Sequence, residues 1–511
     1  MIPLHTKPLA AYAIEFYLNN LPDAKVYLAV NDVEYGLVQS EFKHYEQSVY
    51  ILGIKPNRGV VDTLSDCLNQ MDEHEQVTVQ LVTTVPTLLT GLNEVLLDDR
   101  TSVNKHWSTV VLDTGGQMAF FGSKAGKPLI HGHAFTGTFR CSTHLLRGVL
   151  REGVERPDDL LLVVQALHQK RKLKPVLCEW VDCGHEVNYY RARLSNLQSR
   201  SFNHVRLVKK GILVKSSSNR QKIEEELNYL RTVPEDFQPL FPRLFGETTL
   251  EGYPAYSMEY YGYPVVSELQ LYWELPEQVW ERFYATLSDT IQGFQSVRSG
   301  LEKDDYQNMH ITKLISRTEM YRKRFDSEEE RSIFRKEWRI NGSTCKSLDA
   351  LMPDLEREVD RMYQGSFSCM MHGDLCFGNM LYDISSDIIR LIDPRGRYGN
   401  HVGIFGDQYY DLAKLCHSSL GHYDYLVNHL FHMHLDVERN QCNLTFNLRD
   451  NDMLHRQLTD QLLEKLNVDK RRVCLLMALL FLSMPIIHDE SRNRSLAMYM
   501  HGLSLINRYL S

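Results

Sequence analysis

Met371-His372-Gly373-Asp374-Leu375-Cys376-Phe377-Gly378-Asn379-Met380-Leu381, followed by Ile388-Ile389-Arg390-Leu391-Ile392-Asp393-Pro394-Arg395-Gly396, is the stretch on which the fold turns. Three polar side chains, Asp374, Asn379 and Asp393, stand among apolar neighbours that bury the backbone and hold them in fixed positions. Between Asn379 and Asp393 there is room for a strand, a turn at 383–386 and a returning strand that ends at Asp393.

These residue types suit phosphoryl transfer. That chemistry needs an acceptor for the proton of an attacking hydroxyl, and oxygen ligands for the magnesium that bridges nucleotide phosphates. Asp374 supplies the first, Asn379 and Asp393 the second. The pattern His-Gly-Asp-x-x-x-x-Asn followed by Ile-Asp resembles the signature of the aminoglycoside phosphotransferase and choline kinase family, a branch of the protein-kinase-like fold. The resemblance implies a bilobal domain, with ATP and Mg2+ as cofactors. It also implies Asp374 at the nucleophile, Asn379 and Asp393 on the metal, and His372 bracing the loop. Gly378 is expected to allow a tight backbone course before Asn379. Arg395 or Arg397 would meet the γ-phosphate or an acidic group on the acceptor, or form a salt bridge. Gly406-Asp407-Gln408-Tyr409-Tyr410-Asp411-Leu412-Ala413 resembles a further family element. There Asp411 supports the catalytic loop, while Asp407 caps the helix or touches substrate.

Upstream, the alternation in 205–208 and 212–217 around Lys209-Lys210-Gly211 reads as a strand pair ending at Lys215. Asn219 or Ser218 is placed to cap a helix over 221–231. In the resembling family a strand lysine meets the α- and β-phosphates and a helix glutamate holds it. Lys215 and Glu226 take those roles, with Glu225 the rival. A second hairpin ends in Met258-Glu259-Tyr260, which resembles the family's adenine-reading hinge and makes Met258 and Tyr260 candidate nucleotide contacts; Met258 as core filler would read the same.

Residues 1–190 alternate strands and helices, implying a three-layer α/β domain around a mainly parallel sheet. Helices are expected over 9–21, 33–45 and 63–71, strands over 24–30, 48–52 and 77–82, and a hairpin over 107–121. Lys7-Pro8-Leu9, the segment 56–64, Thr136-Gly137-Thr138-Phe139-Arg140 and Glu179-Trp180-Val181-Asp182-Cys183-Gly184-His185 resemble parts of a sugar-nucleotidyltransferase-like domain. There Asp182 corresponds to the second metal aspartate; a capping role is the alternative. The Gly-rich loop that should precede Lys7 is absent, and Thr83-Thr84-Val85-Pro86 stands where the first metal Asp belongs. Without an anion cradle or a complete metal site, nucleotidyl transfer lacks its machinery. His131-Gly132-His133 has no further ligands at metal-site spacing and reads as a strand end or loop.

The expected organisation is a degenerate nucleotidyltransferase-like domain over 1–195, a small kinase-like lobe over 200–265, and a helical lobe over 266–511. Helices are expected over 273–294, 309–325, 327–338, 348–362, 423–435, 454–466, 473–484 and 495–510. The 511 residues carry a formal charge of −8 and are 43% hydrophobic and 24% charged, which gives no reason to expect a nucleic-acid partner. The oily run 473–484 is too short to span a bilayer, no signal-peptide pattern opens the chain, and ten scattered cysteines read as reduced thiols. Together the two resemblances imply a phosphotransferase, expected to be cytoplasmic, acting on a small hydroxylated, carbohydrate-related molecule of bacterial surface-polysaccharide metabolism. The alternatives are a bifunctional kinase and sugar nucleotidyltransferase, or a non-catalytic nucleotide- or sugar-binding protein. The sequence sets no oligomeric state.

Overall fold

The computed structural model describes all residues except 1–2, 5–6, 43–44, 46, 56–58, 72–73, 104–106, 123–130, 154–157, 186–187, 190–191, 193–202, 210, 327–330, 365, 490 and 511. The chain forms two compact units, Met1–Asn196 and Leu197–Ser511. The first is sheet-rich; the second is bilobal and largely helical.

In the first unit, the twelve-residue strand His131–Ser142 is the spine of a six-stranded sheet. Glu94–Val103 runs antiparallel along one edge, while Gln76–Gln80 and Thr109–Leu112 share the other, one at each end. Helices Val60–Gln70, Thr143–Glu152 and Leu160–Lys170 cover it, burying Leu68, Leu146, Val149, Leu161, Val164 and Leu167 against Val95, Leu97 and Phe139. The layered α/β architecture is as expected, but the strand directions differ. Only Lys174–Cys178 runs parallel to its neighbour in this sheet, and Val26–Asn31 pairs in parallel with Val49–Ile54 in a separate ladder. The long central strand accepts a hairpin, Thr109–Leu112 with Met118–Gly122, so the sheet grows by antiparallel addition rather than through crossover helices.

The second unit begins with a four-stranded antiparallel sheet, in the order Asn203–Lys209, Ile212–Ser217, Tyr253–Glu259, Leu244–Leu250. Helix Arg220–Thr232 packs on it, capped by Asn219, whose side chain accepts from the Lys222 N–H at 3.2 Å. Ile223 and Leu227 of that helix meet Leu213, Tyr256 and Met258 of the strands. The helical lobe surrounds Lys470–Ser483, buried throughout from Val473 to Ser483. Three sequence expectations fail here. The 273–294 helix starts at Glu277, because Pro276 sits at its N-cap; Val266–Tyr272 is a helix of its own. Over 331–338 there is a 3₁₀ turn, Ser332–Phe334, and then strand Trp338–Ile340, while 327–330 lie outside the described residues. The 423–435 helix stops at Val427; Phe431–Asp436 pairs antiparallel with Gln441–Phe446 and, through that strand, with Trp338–Ile340. The period-two run Phe431-His432-Met433-His434-Leu435 and left-handed Asn440 explain the hairpin.

No helix of the described residues is long and apolar enough to cross a membrane. Trp280, fully buried on helix Glu277–Ser296, packs against His455 at a ring separation of 4.3 Å. Trp280→Ala is expected to cost about 3–5 kcal/mol, read as a lower urea midpoint; an unchanged midpoint would place the core elsewhere.

Candidate active site

Strand Ile212–Ser217 alternates its faces, so Lys215 shares with Leu213 the side that meets helix Arg220–Thr232. Its ammonium lies 2.8 Å from Glu226 Oε2 and 2.7 Å from Asp393 Oδ1. Lys215 and Glu226 are each 1% exposed. The Tyr256 hydroxyl donates to the same Glu226 oxygen at 2.9 Å. Burial works against the lysine's charge, yet Asp393 and its neighbours hold its pKa above the usual value. Glu225, the rival, instead pairs with Arg397 at 2.6 Å.

Asp393 follows the hairpin Met380–Asp383 and Ile388–Leu391 and takes a left-handed φ of 59°. Such a conformation in a non-glycine residue is a strained one that surrounding structure must enforce. The Ile392 N–H donates to Asn379 O at 3.0 Å, and the His372 ring meets Ile392 O at 3.0 Å. Asn379 donates its amide to both the carbonyl (2.9 Å) and the carboxylate (3.0 Å) of Asp374, which fixes the amide's orientation and leaves Oδ1 without a hydrogen bond among the described residues. That oxygen and the Asp393 carboxylate are hard donors of the kind magnesium takes.

The Asp374 loop is braced from below. Asp411, near the start of helix Gln408–Ser419, accepts the N–H groups of His372 (2.6 Å) and Gly373 (2.8 Å). Burial raises its pKa to about 7 against the pull of those two bonds. The His372 Nδ1 accepts from Asp374 N–H at 3.2 Å, so the proton sits on Nε2 and the ring is neutral; burial holds its pKa down to about 4. Phe241 stacks on that ring. Lys414, three residues beyond Asp411 on the same helix, pairs with Asp374 Oδ1 at 2.8 Å.

The glycine that the loop requires is not Gly378, where an added Cβ would meet nothing closer than 3.9 Å. Gly373 has φ +79° and faces Arg395 Cβ at 2.6 Å, which no side chain could accommodate without a shift. Asp407 does not take the capping role, one of its two expected ones. It makes no capping bond, is fully buried, and among the described residues neither of its oxygens has a hydrogen-bond partner; His310 Nε2 stands 3.8 Å away. Arg395 donates to the Tyr410 hydroxyl at 3.1 Å. Met258 lies in the small-lobe core, and the Tyr260 N–H donates to Gly211 O at 3.0 Å.

In the other unit, Asp182 is the centre of a hydrogen-bond knot. Its Oδ1 accepts from Gly184 N–H at 2.9 Å. Its Oδ2 lies 2.7 Å from His185 Nδ1, 2.8 Å from Asn188 Nδ2 and 3.2 Å from Trp107 Nε1. Lys7 belongs to a short strand, and residues 56–58 of the segment 56–64 lie outside the described residues.

Sequence reading missed Lys414, Tyr256 and Lys313. Lys414 was within reach, since it stands i+3 from Asp411 and shares its helix face. Tyr256 and Lys313 come from distant segments with no local mark.

No family model matches the chain, and no curated protein matches it. Solved structures do. Aminoglycoside phosphotransferase APH(3'')-Id from Streptomyces rimosus, with ADP and streptomycin, is 13% identical, spanning 58% of this chain and 87% of its own, with a TM-score of 0.33. The streptomycin–ATP–APH(2'')-IIa complex is 13% identical over 63% of this chain and 97% of its own, TM-score 0.35. Inositol-1-phosphate CTP transferase from T. maritima is 12% identical over 36% of this chain and 81% of its own, TM-score 0.29. At such identities and TM-scores the site is read from its own geometry.

Five histidines of this unit, His310, His372, His417, His455 and His501, are held below the usual 6.5 by burial. Each binds its proton less readily folded than unfolded, so stability is full above about pH 6.5 and falls as pH drops toward 4. His372 alone contributes on the order of 3 kcal/mol to that fall. Asp411 and Asp424, raised by burial to about 7 and about 6, act in the opposite sense but are fewer. Urea midpoints of the full chain are expected to decline steadily from pH 7 to pH 4; a midpoint that rises over that range contradicts the assignment.

Proposed function

We propose that the chain is an ATP- and Mg2+-dependent phosphotransferase that phosphorylates a hydroxyl of a small molecule. The observation that carries this reading is one buried lysine ion-paired to both a helix glutamate and Asp393, next to Asp374 and Asn379. A lysine so held offers a fixed positive charge to the α- and β-phosphates of a nucleotide, and Glu226 keeps it aimed. Asn379 Oδ1 and Asp393 would hold magnesium, which supplies charge neutralisation on the phosphates.

Asp374 orients the acceptor hydroxyl and takes its proton as the new P–O bond forms. The bond from the γ-phosphorus to the bridging oxygen breaks in line with it, and ADP leaves with that electron pair. Lys414 steadies the Asp374 carboxylate and so the angle at which it meets the hydroxyl. No covalent enzyme intermediate is needed. The aminoglycoside phosphotransferase and choline kinase pattern in the sequence supports the same reading. On that pattern and the α/β first unit, the acceptor is a sugar or sugar-derived precursor of surface polysaccharide.

For residues 1–195 we propose a retained nucleotidyltransferase-like fold without that chemistry. Both Asp182 oxygens already accept hydrogen bonds from the protein, which disfavours a metal there. Magnesium-dependent release of pyrophosphate from a nucleoside triphosphate and a sugar phosphate would show otherwise.

Asp374→Asn is expected to lower acceptor-dependent ADP release by about 10²–10⁴-fold, while nucleotide affinity stays close to that of the unaltered chain. The measurement is a coupled ADP assay over sugars, uronic acids, glycerate, polyols and amino alcohols. Acceptor-stimulated turnover that survives the substitution would place the active site elsewhere.

A further inference from the structure

Helix Lys313–Arg322 brings Lys313 and Arg317 to one face, at i and i+4, where like charges repel. Two neighbouring cations on this segment are neutralised. Arg322 pairs with Glu319 and Asp349, and Arg324 with Asp489. Lys313 and Arg317 are not: among the described residues neither has a carboxylate within ion-pair distance, and the same holds for Arg395.

The three converge. Lys313 Nζ and Arg395 both donate to the single hydroxyl oxygen of Tyr410, each at 3.1 Å. Two like charges are thereby held within ~6 Å of each other with no counterion between them. Lys313 also lies over the Tyr410 ring, 5.1 Å from its centre. Burial first, and then the nearby Arg395 and Arg317, push Lys313 well below its usual pKa; Arg317, itself lowered chiefly by burial, donates to Ser483 O at 3.4 Å. Asp374 lies near this group, and Lys414 already pairs with it.

A half-buried cluster of cations is costly unless an anion completes it. A cationic acceptor would be repelled here, and a neutral one would leave the charges unmatched. We propose that Lys313, Arg317 and Arg395, gathered around Tyr410, form the acceptor subsite and that the acceptor carries an anionic group, a carboxylate or a phosphate monoester, beside the hydroxyl presented to Asp374. This rests on the phosphotransferase reading for the identity of the ligand as acceptor, but not for the binding of the anion. The subsite selects by charge: Arg395 offers a planar fork of donors and Lys313 a point charge, together suited to a bidentate oxyanion.

Binding tests it apart from turnover. The full chain is titrated calorimetrically with glucuronate, glucose 6-phosphate, inorganic phosphate and glucose. The first two distinguish a carboxylate from a phosphate source. The anionic probes are expected to bind about tenfold or more tightly than glucose. Lys313→Met is expected to remove that preference and Lys313→Arg to restore most of it, a rescue that a purely structural lysine would not show. Equal affinity for glucose and the anions, no binding of any anion, or a preference untouched by both Lys313→Met and Arg317→Met overturns the proposal. A charge preference that depends on Lys313, in a protein that transfers no phosphate to any acceptor, upholds the subsite and counts against the phosphotransferase reading alone.

Discussion

The buried ammonium of Lys215 is the constraint around which the second unit is arranged. Removing an ammonium from water is expensive, and only close carboxylates with good geometry offset it. Glu226 reaches it from a helix of the small lobe, and Asp393 from the end of a hairpin in the other lobe. One charge therefore sets the position of the helix, of the strand and of the hairpin end. Loss of either carboxylate would leave a buried charge only partly matched. A core made for stability alone would do as well with apolar residues of the same size, and the nucleotide site proposed above gives the charged triad at the junction of two lobes a reason to be kept.

The loop carrying Asp374 is held by a different device. Asp411 accepts two successive N–H groups, the neutral His372 ring links Asp374 to Ile392, and Gly373 provides the left-handed turn that Arg395 crowds. These bonds run between segments remote in sequence, which converts a local loop into a rigid platform. Precision of this kind is what in-line transfer demands, since small displacements of the reacting groups are costly in rate.

Much of this arrangement was legible in the chain because the residues proposed for the chemistry sit in short runs. Asp374, Asn379 and Asp393 lie within twenty residues, and Lys215 and Glu226 are joined by a strand and the helix that follows it. Local pattern reached all five, and it chose Glu226 over Glu225 as the residue that faces the lysine. What it missed depends on tertiary placement. The unpaired state of Lys313 and Arg317 follows from which carboxylates lie near, and no spacing distinguishes them from Arg322 and Arg324, which are paired. The strand Phe431–Asp436 was hidden because its period-two run was taken as the continuation of the helix that begins at Tyr423, and its pairing with Gln441–Phe446 separates the two. Mixed strand direction in the first unit was likewise beyond alternation of elements, because a hairpin and a crossover look alike until the long strand His131–Ser142 collects its partners.

The central claim is that Asp393 and Asn379 form a magnesium-dependent nucleotide site around Lys215. Calorimetric titration of the full chain with a non-hydrolysable ATP analogue, with and without magnesium, tests it most directly when Asp393→Asn is run beside the unaltered protein. The account predicts that magnesium tightens binding by about tenfold or more and that the substitution abolishes this gain. Binding indifferent to magnesium in the unaltered protein, or a gain that survives Asp393→Asn, would contradict it.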